Sequence, residues 1–415
     1  MTIVKKVMGL MGLMGLIGPM GLMGLIGPIG LMGCSSDDAE SPAPQEQCAV
    51  GFAATFAEND EEGTARRSQS RETTDQSGYA TARMTRAVGD GELTNALLQE
   101  MGFGVYCWYT GTNNFVSPKT VGTTILMMNQ KVEYTNSIWT YTPSKYWPLK
   151  DNEKLTFRAY APYTNYLYTD ASGMPQLPVV VKANDYQNGT QHDPLWGTSK
   201  HGGTDDEEKT YGMLYDNYTY TMSGDTHSSD SHDGTIDWFF HHGMSRLMFT
   251  CSIIKDPGCS KITIKSIKVN DLYTQGLLSI SSTTTSDSDK PTWTQSGGDM
   301  EVEIGTDYLI SNPLEIITST AAATTPVNLL SKGLLIIPRN FGVTPMDIEI
   351  SYTIDADPTV LTAKGTIGEN FCGNTSYTIG LSLTPSTKGL EITVVHSAFT
   401  EWLPGGAGDH TVYNW

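Results

Sequence analysis

The chain predicts an all-β protein, and three observations carry that prediction. Short segments of alternating apolar and polar residues recur between residues 104 and 394, with turn residues between them. Thr, Ser, Tyr, Gly and Val are abundant and long stretches of Ala, Glu, Lys and Leu are scarce, which suits pleated, half-buried strands. The 415 residues leave room for a leader and two domains of ordinary size, each able to bury its own core. The charge count, 45 acidic against 26 basic residues for a net of −19, narrows the partners. An acidic surface repels phosphate backbones, and no Lys/Arg-dense stretch is present, so the balance argues against nucleic acid.

At the start of the chain, Lys5 and Lys6 precede an uncharged apolar run over 7–33. Gly recurs there at every third residue from Gly9 to Gly33. The period suggests collagen, but its partners are Leu, Met and Ile with few prolines, and such an array would aggregate rather than form a solvated triple helix. Basic residues followed by an apolar run predict an export signal. The length of the run makes a retained membrane anchor the alternative. Leu31-Met32-Gly33-Cys34 decides for export, because it resembles the lipobox of bacterial lipoproteins. That resemblance implies acylation of the Cys34 thiol, cleavage before Cys34, and acylation of the new amino group. Two or more acyl chains anchor a protein stably where one does not. Ser35-Ser36-Asp37-Asp38 follows, and resembles the acidic surface-export signal of some Gram-negative lipoproteins; otherwise it is a solvated spacer.

Next comes a strand. In residues 48–57, Cys48, Val50, Phe52, Ala54 and Phe56 share one face, and the other face holds small residues only. Residues 59–91 are dominated by Asp, Glu, Ser, Thr and Gly and cannot bury a core. They carry Arg66, Arg67, Arg71, Arg83 and Arg86 and no lysine. Exposed segments of this kind are where proteases cut. A strand joined to the body by a cuttable loop is able to leave its sheet, and the vacated groove then accepts another chain's strand.

The body begins with a short predicted helix at 93–101. Strands follow at Gly104-Val105-Tyr106-Cys107-Trp108-Tyr109, Leu155-Thr156-Phe157-Arg158-Ala159-Tyr160 and Leu247-Met248-Phe249-Thr250-Cys251-Ser252-Ile253. Others are Ile262-Thr263-Ile264-Lys265-Ser266-Ile267, Asp347-Ile348-Glu349-Ile350-Ser351-Tyr352 and Leu390-Glu391-Ile392-Thr393-Val394. Many short strands at this spacing predict β-sandwiches, and the Ser/Asp/Gly-rich stretch 223–234 is the expected boundary between two of them.

Signatures of catalysis are absent: the chain has no His-Glu-x-x-His, no Gly-x-Ser-x-Gly and no Walker loop. The paired carboxylates of a glycoside hydrolase need a geometry that no spacing here indicates. The six cysteines include no CxxC pair. Cys251 and Cys259 flank a Lys255-Asp256-Pro257-Gly258 turn, and either form a disulfide across a hairpin or remain small buried thiols. His227, His232, Asp233, Asp237, His241 and His242 form the one cluster of a type that suits zinc or nickel, with packing or hydrogen bonding as the competing role for His242. The acidic run 204–208 reads as a solvated loop, with weak calcium binding as the alternative. No catalytic residue, cofactor or metal site is expected. The aromatics Trp139, Tyr141, Tyr146, Trp147, Tyr160, Tyr163 and Tyr166 form either a core with cross-strand pairs or a platform for sugars. The second option describes a lipid-anchored carbohydrate-binding surface protein.

Taken in order, these segments resemble the fimbrillin family, the subunits of type V pili. Met101-Gly102-Phe103-Gly104-Val105-Tyr106 with Tyr109-Thr110-Gly111 looks like its first body strand. Trp139-Thr140-Tyr141-Thr142-Pro143-Ser144-Lys145-Tyr146-Trp147-Pro148 is similar to its aromatic hairpin, and Phe157-Arg158-Ala159-Tyr160-Ala161-Pro162-Tyr163 follows. Phe239-Phe240-His241-His242-Gly243-Met244-Ser245-Arg246-Leu247, then Leu334-Leu335-Ile336-Ile337-Pro338-Arg339, and a last strand ending at Trp402 complete the order. The resemblance implies two tandem transthyretin-like β-sandwich domains after a lipoprotein signal peptide and flexible linker. It implies a surface protease that cuts after an arginine, releasing the leading strand for replacement by a neighbour's strand. Thr85-Arg86-Ala87 with Gly89-Asp90 resembles that site, with Arg83 as a rival in a linker longer than the family's. The donor strand is expected in the tail, where Thr411, Tyr413 and Trp415 share a face after a Gly-rich stretch; so short a donor suits a tip or accessory subunit.

The expected organisation is a signal peptide at 1–33; a tether, displaceable strand and cleavable linker at 34–86; an N-terminal sandwich at 87–228; a C-terminal sandwich at 229–402; and a donor tail at 403–415. The expected function is that of a structural or adhesive pilus subunit, lipidated on Cys34 and processed between Arg86 and Ala87. Its partners are other pilus subunits, the outer membrane, and a host or bacterial surface ligand such as a glycan.

Overall fold

Strands dominate the computed structural model, which describes residues 48–56, 95–150, 152–199, 214, 216–219, 234–253, 259, 261–281, 291–309, 314–317, 326–386 and 389–401. The first half comprises β1 (Gly51–Phe56), α1 (Asn95–Met101), β2 (Phe103–Gly111), β3 (Thr124–Thr135), β4 (Ile138–Thr140), β5 (Lys154–Ala161), β6 (Tyr168–Thr169), β7 (Pro175–Val180), α2 (Asp185–Asn188), β8 (Leu195–Ser199) and β9 (Tyr218–Thr219). The second half begins with β10 (Thr235–His242), β11 (Ser245–Ile253), β12 (Lys261–Leu272), β13 (Gln275–Ser279), β14 (Thr292–Ser296), β15 (Met300–Gly305), β16 (Leu314–Ile317) and β17 (Val327–Asn328). It ends with β18 (Leu334–Ile336), β19 (Arg339–Asn340), β20 (Met346–Ile354), β21 (Leu361–Ile367), β22 (Asn370–Phe371), β23 (Thr375–Ser386) and β24 (Gly389–Glu401). The fold is all-β, as the composition and periodicity predict. The helix expected at 93–101 is α1, closed by Gly102, whose positive φ lets its N–H reach the Leu98 carbonyl at 3.0 Å.

An eight-stranded sheet runs β1-β10-β8-β5-β2-β3-β4, with β9 added beside β5. Both faces of its centre are buried, which explains the near-continuous burial of β2, β5 and β8. Phe103, Val105 and Cys107 point to one core together with Phe157, Trp238, Phe240 and Leu98 of α1. Tyr106 and Trp108 point the other way, onto Leu177 and Leu278 of a four-stranded sheet ordered β14-β13-β7-β6. Gly104 is fixed by the same layering, because the Tyr160 ring from β5 lies where a Cβ would stand. The phenol of Tyr160 in turn donates to Thr164 O at 2.8 Å.

The second sandwich stacks β17-β11-β23-β24 on β15-β12-β20-β21. Alternate residues Leu247, Phe249, Cys251 and Ile253 of β11 meet Ile262, Ile264, Ile267 and Val269 of β12, and Ile348 and Ile350 of β20. The inward residues of β12 switch from even to odd numbers because a bulge between Ile264 and Ser266 absorbs one residue.

Strand pairing crosses the division expected at 228/229. β10 joins the sheet of β8 and β1, and β13 pairs β7, so the first pair of layers draws strands from both sides of that line. Composition marks turns, whereas the apolar face of Ile236, Trp238 and Phe240 decides which core β10 fills. Of the two alternatives for Cys251 and Cys259, the disulfide is not formed. Cys251 is buried on β11, while Cys259 precedes β12, whose partners lie in the opposing sheet, so the two do not flank a hairpin. Burial raises the Cys251 thiol to about 12.

Candidate functional site

The leading strand β1 occupies a seat on the edge of the eight-stranded sheet. It runs parallel to β10, in register from Gly51 opposite Thr235 to Phe56 opposite Phe240. Val50, Phe52 and Ala54 face inward and are 2%, 6% and 9% exposed, while Thr55 faces solvent. The alternation expected for 48–57 is therefore present in these residues. The Phe52 ring sits among Tyr141, Phe103 and Phe157, with centroids at 5.3, 6.2 and 6.2 Å. Edge-to-face contacts of this kind add to the burial of apolar area.

Ahead of β1, the chain is held by residues 141–147 of the aromatic segment. Val50 N donates to Lys145 O at 2.9 Å, and Trp147 N donates to Cys48 O at 3.0 Å. The Tyr141 hydroxyl donates to Val50 O at 2.8 Å, and Trp147 Nε1 donates to Gly234 O at 2.8 Å. Gly234 has φ of +78°, and a Cβ there would stand 2.5 Å from Cys48 Sγ, so the turn into β10 requires glycine twice over. Every group in this seat belongs to the body of the protein, whereas the strand that fills it is separated from α1 by residues 57–94.

Cys34, Arg86 and Ala87 lie outside the described residues, as do the tail 402–415, the acidic run 204–208, and His227, His232 and Asp233. The described members of the cluster weighed above as a metal site, Asp237, His241 and His242, form no group able to hold a metal. His241 and His242 are neighbours on a strand and point to opposite faces. His241 stacks on Trp196 at 4.7 Å and shares a hydrogen bond with Thr198 Oγ1 at 2.8 Å. His242 Nδ1 lies 2.5 Å from Asp193 Oδ2 in a buried pair. Asp193 Oδ1 also accepts from Gly243 N at 3.1 Å and Met244 N at 2.9 Å, which ties the segment after α2 to the β10–β11 turn. Among the described residues no group of three His, Cys, Asp or Glu is placed to hold a metal.

The aromatics divide. Trp147 and Tyr160 are buried, Trp139, Tyr141 and Tyr163 pack against the cores, and Tyr146 and Tyr166 are exposed at 47% and 82%. Sequence reasoning did not find the seat contacts of Tyr141 and Trp147, or the Asp193–His242 pair, because each joins residues 49 to 91 positions apart.

A family model described as fimbrillin-like matches residues 85–402. Over 70 residues the chain is 37% identical to the fimbrium subunit Fim1C of Phocaeicola vulgatus; that match covers 17% of this chain and spans 18% of the relative's length. A fimbrial protein from Bacteroides vulgatus superposes with a TM-score of 0.53 at 17% identity, over 86% of this chain and 99% of that one. The fimbrial anchor protein Mfa2 of Porphyromonas gingivalis is a more distant neighbour, with a TM-score of 0.30 at 9% identity over 74% and 91% of the two chains.

Proposed function

The chain belongs to the fimbrillin-like family and is a fimbrial subunit, and on that basis we propose that it is exported as a lipoprotein and joins the fimbrium by strand exchange. Its role is structural and it assembles with other fimbrial subunits, not as an enzyme. In the proposed sequence of events, Cys34 carries lipid at the outer membrane. Proteolysis between Arg86 and Ala87 frees β1, and a strand from another subunit takes its place.

The observation that carries this reading is the seat of β1. An edge strand supplies the apolar side chains Val50, Phe52 and Ala54 to a groove made wholly from the body, through a connection rich in arginine. Main-chain hydrogen bonds along an added strand give affinity, and alternate side chains entering pockets give specificity. Arg86→Ala tests the site of cleavage. The variant is expected to fold as the wild type does, to retain the leading strand, and to stay out of fimbriae. Intact mass and N-terminal sequencing of surface protein give the direct readout. A start at Ala87 supports processing there, whereas fimbriae of normal length from the variant would remove Arg86 from the scheme.

A further inference from the structure

We propose that an open cavity beside β7 and α2 binds carbohydrate, with preference for an acidic sugar. This goes beyond the subunit reading and does not depend on strand exchange. The cavity measures about 840 Å³, within the range of small-ligand sites, and is large enough for a short oligosaccharide.

Tyr166 stands at its lip with 82% of its surface exposed. The loop beneath that ring is fixed. Tyr166 N donates to Thr164 Oγ1 at 3.1 Å, and Thr164 O accepts from Tyr160 at 2.8 Å and from Asn129 Nδ2 at 2.9 Å. A ring presented on an ordered loop loses little freedom when it is covered. Pro162, Pro178 and Val180 supply an apolar floor. A pyranose has one face of C–H groups and a rim of hydroxyls, and the first suits the tyrosine and this floor.

The polar lining suits the rim. Asn184 and Asn188 line the cavity, are exposed, and make no side-chain hydrogen bond among the described residues. Each amide offers a donor and an acceptor, which vicinal hydroxyls can answer. The two carboxylates in the wall are turned to internal work. Asp185 accepts from Lys182 N at 2.7 Å and Thr190 Oγ1 at 2.6 Å, and Asp193 is bound to His242, Gly243 and Met244. Lys182 is exposed at the same wall and its ammonium is in no ion pair among the described residues. Asp185 and Asp193 are held by internal donors, which leaves the Lys182 ammonium as the charged group of this wall that a ligand carboxylate can meet.

The test is a glycan array holding neutral glycans and glycans bearing uronate or sialate, probed with the protein as isolated from the cell surface, then titration of the best-retained glycan. Retention of acidic glycans is expected. Tyr166→Ala should weaken the titrated glycan about tenfold, and the pair Asn184→Ala and Asn188→Ala should weaken it comparably. Lys182→Ala should reduce an acidic glycan to the affinity of its neutral counterpart. All four positions are exposed, so the melting temperature should not move. Retention of no glycan, or binding that Tyr166→Ala and the double asparagine variant leave unchanged, overturns the proposal. Preferential retention of neutral glycans overturns the acidic preference.

Discussion

Truncating Phe52 to alanine measures how firmly the leading strand is seated. The side chain is 6% exposed and lies among Tyr141, Phe103 and Phe157. Phe103 and Phe157 are themselves 0% and 1% exposed, on the central strands β2 and β5, and are not free to close the space left behind. Replacement of a buried phenylalanine by alanine costs about 3–5 kcal/mol, with the upper part of that range where the surroundings cannot collapse. We therefore expect a loss of about 4 kcal/mol, a large share of the ~5–15 kcal/mol that holds a domain folded. Thr55→Ala, on the exposed face of the same strand, serves as the control and should change stability by less than about 0.5 kcal/mol. Urea unfolding of both variants gives the difference from the shift in midpoint at constant slope. If the linker is first cut with an arginine-specific protease, the Phe52→Ala chain should also release its N-terminal fragment sooner. A loss below about 1 kcal/mol, or one no larger than that of Thr55→Ala, would refute a seated strand.

Further predictions concern the body. Asp193→Ala removes the carboxylate that the buried His242 Nδ1 meets and takes away the acceptor of two backbone N–H groups. A loss of about 3–5 kcal/mol is expected, and a melting temperature within a degree or two of wild type would contradict it. Alkylation at pH 8 followed by mass mapping should modify exposed Cys372 in the native protein and leave Cys107 and Cys251 untouched until unfolding, because burial raises both buried thiols. Stability should fall on the alkaline side. Burial pushes Tyr106 up to about 12 from 10, so the unfolded chain sheds that proton first; the contribution is complete below pH 10 and is lost as pH rises toward 12. Thermal melts between pH 8 and 11 should show the decline, and Tyr106→Phe should flatten it; a variant with an unaltered slope would rule Tyr106 out.

Faces were legible in the sequence and partners were not. The alternation of Leu247, Phe249, Cys251 and Ile253 predicts which side of β11 is buried, and the structure buries that side. The same is true of Val50, Phe52 and Ala54. Period two does not reveal which strand lies alongside, so the parallel pairing of β11 with β23 and of β1 with β10 had no signal. The turn residues between Cys251 and Cys259 suit a hairpin, yet the chain changes sheets there. The inward positions of β12 change parity between Ile264 and Ile267, and only the pairing shows that a bulge absorbs the extra residue. Tyr141, Trp147 and Gly234 form one site through contacts that span 87 to 91 residues, a range at which local pattern carries no information.

The parallel register of β1 on β10 has a mechanical consequence. Six residue pairs, from Gly51 with Thr235 to Phe56 with Phe240, tie the two strands along one direction. A pull along the axis of β1 runs across those hydrogen bonds, so the ladder is sheared as a block and does not unzip one bond at a time. Peeling from one end loads the bonds in sequence and needs far less force. A strand in this seat is thus strong against lengthwise tension and weak against being lifted from its end.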